Sequence, residues 1–197
     1  MKSVTHMKEF FGFKFWKTEQ GKTELKIAGK FLLTFGIIFA MLFFLQSFFP
    51  IQILEEWIAR VTANYLAWTG VNSAVLAQEP VLIQLENGTQ IAISYLCTGL
   101  LELIVLASAI LASHGISWKK RWMGVLAGIL VSQVFNFARI FITIQFVLGG
   151  DLGTIDLVHG LLFRITLFGV IAGLYALWFA WAVGKIKFGK TSTIKQV

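Results

Sequence analysis

Long apolar runs constrain the fold of this 197-residue chain more than any other feature. The hydrocarbon core of a bilayer is about 30 Å thick, and a helix crosses it in about 20 apolar residues. The mean hydropathy is +0.76 and 57% of the residues are hydrophobic, which is too apolar for a water-soluble domain of this size. The sequence therefore predicts an all-α integral membrane protein, with residues 28–184 forming a four-helix transmembrane bundle. The four predicted crossings are residues 28–49, 96–113, 122–148 and 157–183.

Basic residues flank these runs and indicate the orientation of the chain. Fourteen of the seventeen lysines and arginines lie in three groups. Cytosolic segments of membrane proteins carry such an excess, so both termini are predicted to be cytosolic and the protein to lie in the plasma membrane. Basic groups beside apolar runs favour anionic membrane lipids as partners and argue against nucleic acid. The groups are seven lysines within residues 1–30, the cluster Lys119–Arg121, and four lysines in the tail 185–197. Residues 1–27 are predicted to form a basic amphipathic cytosolic segment.

Residues 50–95 separate the first two crossings and are predicted to lie on the extracytoplasmic side. They are too polar along one side to cross the bilayer. Apolar residues in the first half recur at helical spacing, which predicts a helix lying in the membrane interface. The second half, after Pro80, predicts a small β-hairpin that leads to the second crossing. The apolar positions of the predicted helix are Leu54, Trp57, Ile58, Val61, Tyr65 and Leu66.

The hairpin has two possible registers. A two-residue turn at Asn87 and Gly88 would mix the two faces of the strands. A three-residue loop of Glu86, Asn87 and Gly88, with Gly88 left-handed, keeps the apolar residues on one face, and we prefer it. It pairs Leu85 with Thr89, Gln84 with Gln90, Ile83 with Ile91, and Val81 with Ile93.

Cys97 is the single cysteine of the chain and lies where a polar, turn-rich segment meets the second apolar run. A thiol at a helix start is near unpaired backbone N–H groups and the positive end of the macrodipole, which favour the thiolate. Cys97 is therefore a candidate nucleophile. The alternative is an inert small hydrophobe, which is common for cysteine in cores and membrane helices.

Arg139 and His159 are costly residues for a membrane chain, and each is a candidate site residue. Arg139 lies 18 residues beyond Arg121, roughly 27 Å along a helix, and Asn136 shares its helix face. An intramembrane arginine usually faces the bundle and marks a site, although it can also snorkel to headgroups. His159 opens the fourth crossing, so the predicted topology places it, Cys97 and Arg139 on the same side.

These three side chains suit acyl transfer. A histidine beside a cysteine can take its proton and later return one to a leaving amine. A guanidinium can hold the thiolate or the oxyanion of a tetrahedral intermediate. The same residues could instead bind a lipid phosphate, with the cysteine a bystander.

The Cys97–Leu100 motif CTGL, the NxxR of Asn136 and Arg139, and His159 in this order resemble the exosortase/archaeosortase family of membrane cysteine transpeptidases. The resemblance covers residues 87–164. It implies that the chain cleaves the C-terminal sorting signal (a short motif, a transmembrane helix and a basic tail) of exported proteins through a thioester at Cys97. It also implies that Arg139 is the family arginine and His159 the third catalytic residue, with Arg164 as the alternative third residue.

Two other interpretations remain open. A non-enzymatic membrane protein could bind an anionic lipid or a partner helix through Arg139 and Arg164. Glu102, one turn into the second crossing, could pair with Arg164 in a purely structural ion pair. The sequence contains no cluster at metal-ligand spacing and no Gly-rich phosphate loop, so it predicts neither a metal nor another cofactor.

Overall fold

The computed structural model of the chain describes residues 19–149 and 163–184, without the side chains of residue 20 and of residues 163–167. The described part is mostly helical, with one small antiparallel sheet. Its helices are α1 (Glu19–Gln46), α2 (Ile51–Trp68), α3 (Leu100–Ala112), α4 (Trp118–Leu148) and α5 (Phe163–Ala182). Its strands are β1 (Ser73–Leu76), β2 (Val81–Leu85) and β3 (Gln90–Ile93), and a 3-10 turn (Tyr95–Cys97) joins the sheet to α3.

Two of the described helices are long and apolar enough to cross a membrane, namely α4 and the Gly21–Gln46 part of α1. The other apolar helical stretches, Leu100–Ala112 and Phe168–Ala182, are shorter. The predicted bundle of four complete crossings is therefore confirmed only in part, since two of the described helices meet the length and hydropathy expected of a crossing. Residues 157–162, the start of the predicted fourth crossing, lie outside the described ranges.

The helix boundaries differ from the predicted crossings. α1 already includes Glu19, inside the segment predicted to be separate from the bundle, because hydropathy marks the apolar span and not the whole helix. α3 begins at Leu100 and not at residue 96, because Gly99 adopts a left-handed φ of +69° and interrupts the helical path. α4 begins four residues before residue 122, directly after Ser117.

The long helix α4 packs against α3 and α5 through small residues. Gly124, Gly128, Ser132 and Asn136 are buried at four-residue intervals, so they form one stripe along the helix. A Cβ added at Gly124 would overlap the Trp178 indole ring of α5. One added at Gly128 would lie 2.8 Å from the Leu106 side chain of α3. Small side chains along this stripe therefore allow the close approach of the three helices.

Helix α2 covers the sheet. Its residues Ile58, Ala59 and Leu66 are fully buried in one apolar cluster with side chains of β2, β3 and α4. Tyr65 also stacks on Phe141 of α4, with ring centroids 4.0 Å apart. The predicted helix is confirmed, and part of its apolar face packs on the sheet whereas Trp57 is 52% exposed. Its placement in the membrane interface stays a prediction. The members of this cluster, the sheet core, are Ile58, Ala59, Leu66, Val81, Ile83, Leu85, Ile93, Ile140 and Ile144.

The predicted register of the hairpin is confirmed. Strand β2 pairs with β3 so that Ile83 lies opposite Ile91 and Val81 opposite Ile93. Gly88 has a φ of +84°, and the Leu85 N–H donates to the Thr89 carbonyl over 2.8 Å. The side chains of β2 alternate between buried and half-buried, which places the apolar residues on the face covered by α2. Strand β1 adds a third strand that the sequence did not predict.

Two basic side chains in the first turn of α4 hold neighbouring helix ends together. Lys120 donates from Nζ to the Ala182 carbonyl at the end of α5, over 2.7 Å. Arg121 donates from Nη1 to the Leu111 carbonyl, over 2.8 Å, and from Nε to the Ile116 carbonyl, over 3.0 Å. These carbonyls lie at or just beyond helix C-termini, where the backbone lacks its own donors.

Candidate active site

Cys97 ends the 3-10 turn that connects β3 to α3. The turn forms because the Cys97 N–H donates to the Ser94 carbonyl over 2.7 Å, and the Thr98 N–H to the Tyr95 carbonyl over 3.0 Å. The Thr98 hydroxyl donates to the same Tyr95 carbonyl and accepts from the Leu100 N–H. Cys97 is a half-buried free thiol whose sulfur lies 3.9 Å from the Ser94 hydroxyl. It therefore lies three residues before Leu100, the first residue of α3, near the helix start as predicted.

Helix α4 donates side-chain hydrogen bonds to three consecutive carbonyls of this turn. Arg139 donates from Nη2 to the Leu96 carbonyl over 3.1 Å. Asn136 donates from Nδ2 to the Cys97 carbonyl over 3.0 Å. Gln133 donates from Nε2 to the Thr98 carbonyl over 3.3 Å. We call these three residues the α4 donor row; they are spaced three residues apart and so share one helix face.

The chain path explains why these carbonyls need donors from elsewhere. The carbonyls at the end of a helical turn normally accept from the N–H groups of the next residues. Gly99 turns the chain away with its left-handed φ, so those N–H groups do not continue the turn. A buried carbonyl without a partner costs about 1–3 kcal/mol. The donor row supplies the missing partners and fixes the Cys97 turn to α4.

Gly99 and Asn136 approach each other closely. Asn136 is 1% exposed, and a Cβ added at Gly99 would lie 3.1 Å from its Cγ and 3.2 Å from its Nδ2. Gly99 therefore meets two requirements at once, a left-handed backbone and the absence of a side chain.

Charge is concentrated at the same place. The Arg139 guanidinium lies within electrostatic range of Cys97 and of Glu102. Glu102 is 8% exposed in the first turn of α3. The structure thus brings together Cys97, Asn136 and Arg139, which the sequence had selected, and adds Glu102 as a nearby acid. The predicted pairing of Glu102 with Arg164 stays a prediction, because the Arg164 side chain is outside the described part.

His159 also lies outside the described residues, so its predicted position beside Cys97 stays a prediction. A second histidine, His114, hydrogen-bonds Thr34 over 3.2 Å in the loop that follows α3. The whole of α3, 13 residues or roughly 20 Å, separates that loop from the Cys97 turn. His114 is therefore too far away to serve the thiol.

Two contacts of the turn were not predicted from the sequence. Gln133 was overlooked, although its spacing from Asn136 and Arg139 on an apolar helix could have indicated it. Tyr95 was also overlooked; its hydroxyl donates to Gln46 Oε1 at the end of α1 over 2.9 Å. Nothing in the local pattern indicates that long-range bond, which joins residues 49 positions apart.

An apolar groove of about 630 Å³ begins next to the Cys97 turn. It runs between the end of α1, the start of α2 and the first turns of α3, and Gln46 provides its polar contact with Tyr95. Within the described ranges, no three His, Cys, Asp or Glu side chains lie close enough together to hold a metal ion. The residues lining the groove include Leu42, Leu45, Leu54, Trp57, Leu100 and Ile104.

Comparison with known proteins gives one match. A family described as transmembrane exosortase matches residues 23–178, a range that contains the Cys97 turn and all of α4. No curated protein and no solved structure matches the chain.

Proposed function

Because the chain belongs to the transmembrane exosortase family, we propose that it is a membrane cysteine protease and transpeptidase acting on the C-terminal sorting signal of exported proteins. The observation that carries this proposal is the hydrogen-bonded turn that contains Cys97. A half-buried free thiol lies in a turn whose Leu96 and Cys97 carbonyls accept hydrogen bonds from Arg139 and Asn136. A thiolate stabilised by a neighbouring cation is the form in which cysteine acts as a nucleophile.

The proposed reaction proceeds in two steps. His159 takes the proton of the Cys97 thiol, and the sulfur attacks the scissile carbonyl; the S–C bond forms, the C–N bond breaks, and His159 gives the proton to the leaving amine. An acceptor then attacks the thioester, His159 takes its proton, and the thiolate leaves. Arg139 stabilises the thiolate or the oxyanion in both steps, a contribution of about 3 kcal/mol for one well-placed donor. Arg164 is the alternative to His159 as the third residue.

The orientation of the protein is part of the proposal. Both termini would lie in the cytosol of a cell whose plasma membrane holds the chain, and the Cys97 turn would face the extracytoplasmic side. The basic groups along the chain support this orientation. The apolar groove beside Leu100 supports a substrate that brings a hydrophobic segment to the thiol. Membrane lipids would be the other partners, and no nucleic acid is expected.

The alternative, anion binding through Arg139 and Arg164, receives less support. Arg139 already donates to the Leu96 carbonyl and lies within electrostatic range of Glu102. A lipid phosphate at this position would compete with the Leu96 carbonyl for the guanidinium.

The test uses variants of the nucleophile. Cys97→Ala and Cys97→Ser should abolish release of the substrate tail while the protein remains folded in the membrane, because a serine without a strong base is a far poorer nucleophile. Mass spectrometry of the wild-type protein should find an acyl adduct on Cys97. His114→Ala, remote from the turn, is the control and should process normally. Full processing by Cys97→Ala would overturn the enzyme assignment.

A further inference from the structure

We propose that Gln133 is a positioning residue of the Cys97 site and holds the thiol in register with Arg139 through the Thr98 carbonyl. This inference rests on the proposed function for the meaning of substrate turnover, but the reactivity of the thiol tests it without a substrate. Gln133 touches the enzyme's own backbone and belongs to the described part of α4.

The geometry of the donor row carries the inference. Gln133, Asn136 and Arg139 bind the carbonyls of residues 98, 97 and 96 in that order. The helix and the turn therefore run antiparallel, with one side-chain donor for each carbonyl. Arg139 holds the Leu96 carbonyl at one end of the row, and Gln133 holds the Thr98 carbonyl at the other end. With Gln133 removed, the Thr98 carbonyl loses its α4 donor at the point where Gly99 reverses the chain.

The direction of the Gln133 bond is set by chemistry. The Thr98 carbonyl only accepts, so the amide must present its NH₂ group. The residue is half-buried on a helix that is otherwise largely apolar. A packing role would be served equally well by an apolar side chain of the same length, whereas a donor role would not.

The experiment compares Gln133→Met with Gln133→Glu. Methionine keeps the length of the side chain and loses the donor, so the rate of Cys97 alkylation by a maleimide should fall about fivefold, as expected for one lost neutral hydrogen bond. Glutamate keeps the shape but points a second acceptor at the carbonyl, so the rate should fall by about tenfold or more. Gln145 lies on the same helix and is exposed. Gln145→Met and Gln145→Glu are therefore the matched controls and should react like the wild type.

Substrate kinetics provide the second readout. Gln133 contacts no substrate in this proposal, so kcat for tail release should fall in the same order while KM stays unchanged. The amount of folded protein and the thermal midpoint in detergent serve to normalise the rates.

The outcomes separate this inference from the proposed function. If the wild type releases no tail but alkylation falls in the order Gln, Met, Glu, the positioning role holds and the proposed function fails. If the wild type processes its substrate and Gln133→Met matches it in both assays, the positioning role is wrong and the proposed function stands. A glutamate variant as reactive as the wild type would also overturn the inference, because shape alone would then suffice.

Discussion

Gly99 is the residue at which backbone conformation and side-chain packing restrict the site most. Its φ is +69°, and a Cβ there would press against the buried Asn136 amide. A left-handed backbone costs a non-glycine residue about 1–2 kcal/mol. We expect Gly99→Ala to lower stability by more than that and to slow Cys97 alkylation, because displacing Asn136 weakens its bond to the Cys97 carbonyl.

Gly88 is the matched control for this prediction. Its φ is +84°, but no atom lies within 4 Å of an added Cβ. Gly88→Ala should therefore show only the cost of the left-handed backbone, and Cys97 should react at the wild-type rate. The thermal midpoint and the alkylation rate of both variants measure the difference. Equal effects on both quantities would mean that the approach of Asn136 to Gly99 is unimportant.

Arg139 donates a hydrogen bond to the Leu96 carbonyl and lies within electrostatic range of Cys97. A guanidinium offers five donors in a rigid plane and can make both interactions at once, whereas an ammonium keeps the charge but loses the planar arrangement. Arg139→Lys should therefore be nearly as damaging as Arg139→Ala, with turnover reduced by roughly a hundredfold or more. The rate of tail release at matched protein levels measures this. A lysine variant with near-normal turnover would remove Arg139 from the catalytic set, because charge alone would then be enough.

At the scale of elements, the sequence predicted what depends on local pattern. The hairpin register followed from keeping Ile83, Ile91 and Val81 on one face, and α2 followed from helical periodicity. The start of α3 did not, because an apolar run gives no sign that Gly99 adopts a left-handed conformation. Strand β1 also escaped, because SAVL lacks the alternation that marks a half-buried strand.

The site divides in the same way. Cys97, Asn136 and Arg139 were selectable because a lone thiol and polar groups are costly in a membrane chain. Gln133 and Tyr95 act through backbone and side-chain contacts between distant elements, and these depend on tertiary packing.

Glu55 on α2 provides a pH-dependent test of how this helix packs beside the sheet. Burial raises the pKa of Glu55 above its ordinary value, and the nearby carboxylate of Glu79 raises it further. The protonated form is thus favoured in the folded state, and the stability it contributes is complete below the ordinary pKa and is lost as the pH rises through the folded value. Glu55→Gln should raise the thermal midpoint at about pH 7 and leave it unchanged at about pH 4.

Glu56→Gln is the control for the Glu55 prediction. Glu56 lies 3.7 Å from Arg60 in a partly exposed pair one helical turn apart, and such a pair on a helix surface contributes about 0.3–0.5 kcal/mol. Its loss should lower the midpoint slightly at neutral pH. A Glu55→Gln variant that behaves like Glu56→Gln would show that the carboxylate of Glu55 is not destabilising.

At the scale of the whole molecule, α4 joins two apolar clusters. Near the C-terminal end of α4, Ile140 and Ile144 belong to the sheet core. Near its N-terminal end, Val125 packs with Trp178 of α5 and Ile110 of α3 in a second cluster. The donor row lies between them. The Cys97 turn is therefore positioned by both clusters at once, one through β3 and the other through α3.

The proposed orientation can be tested with the chain's own single cysteine removed. In a Cys97→Ser background, a cysteine at exposed Gln90 on β3 should react with a membrane-impermeant maleimide added to intact cells. A cysteine at exposed Lys119 should react only after the membrane is permeabilised. Labelling in the opposite pattern would invert the topology and move the Cys97 turn to the cytosolic side.

Lys120 and Arg121 belong to the basic cluster that predicts the orientation of the chain, but they also make hydrogen bonds within the fold. Both side chains hold carbonyls at helix ends, whereas Lys119 is exposed. Replacing Lys120 or Arg121 with a neutral residue would therefore remove hydrogen bonds that hold α4 to α5 or to α3. The effect of such a variant on labelling would reflect weaker helix packing as well as the loss of a positive charge. Lys119 is therefore the residue of this cluster at which the effect of positive charge on orientation is best tested by substitution. Two of the three basic residues in this cluster, Lys120 and Arg121, thus stabilise contacts between helices in addition to carrying positive charge.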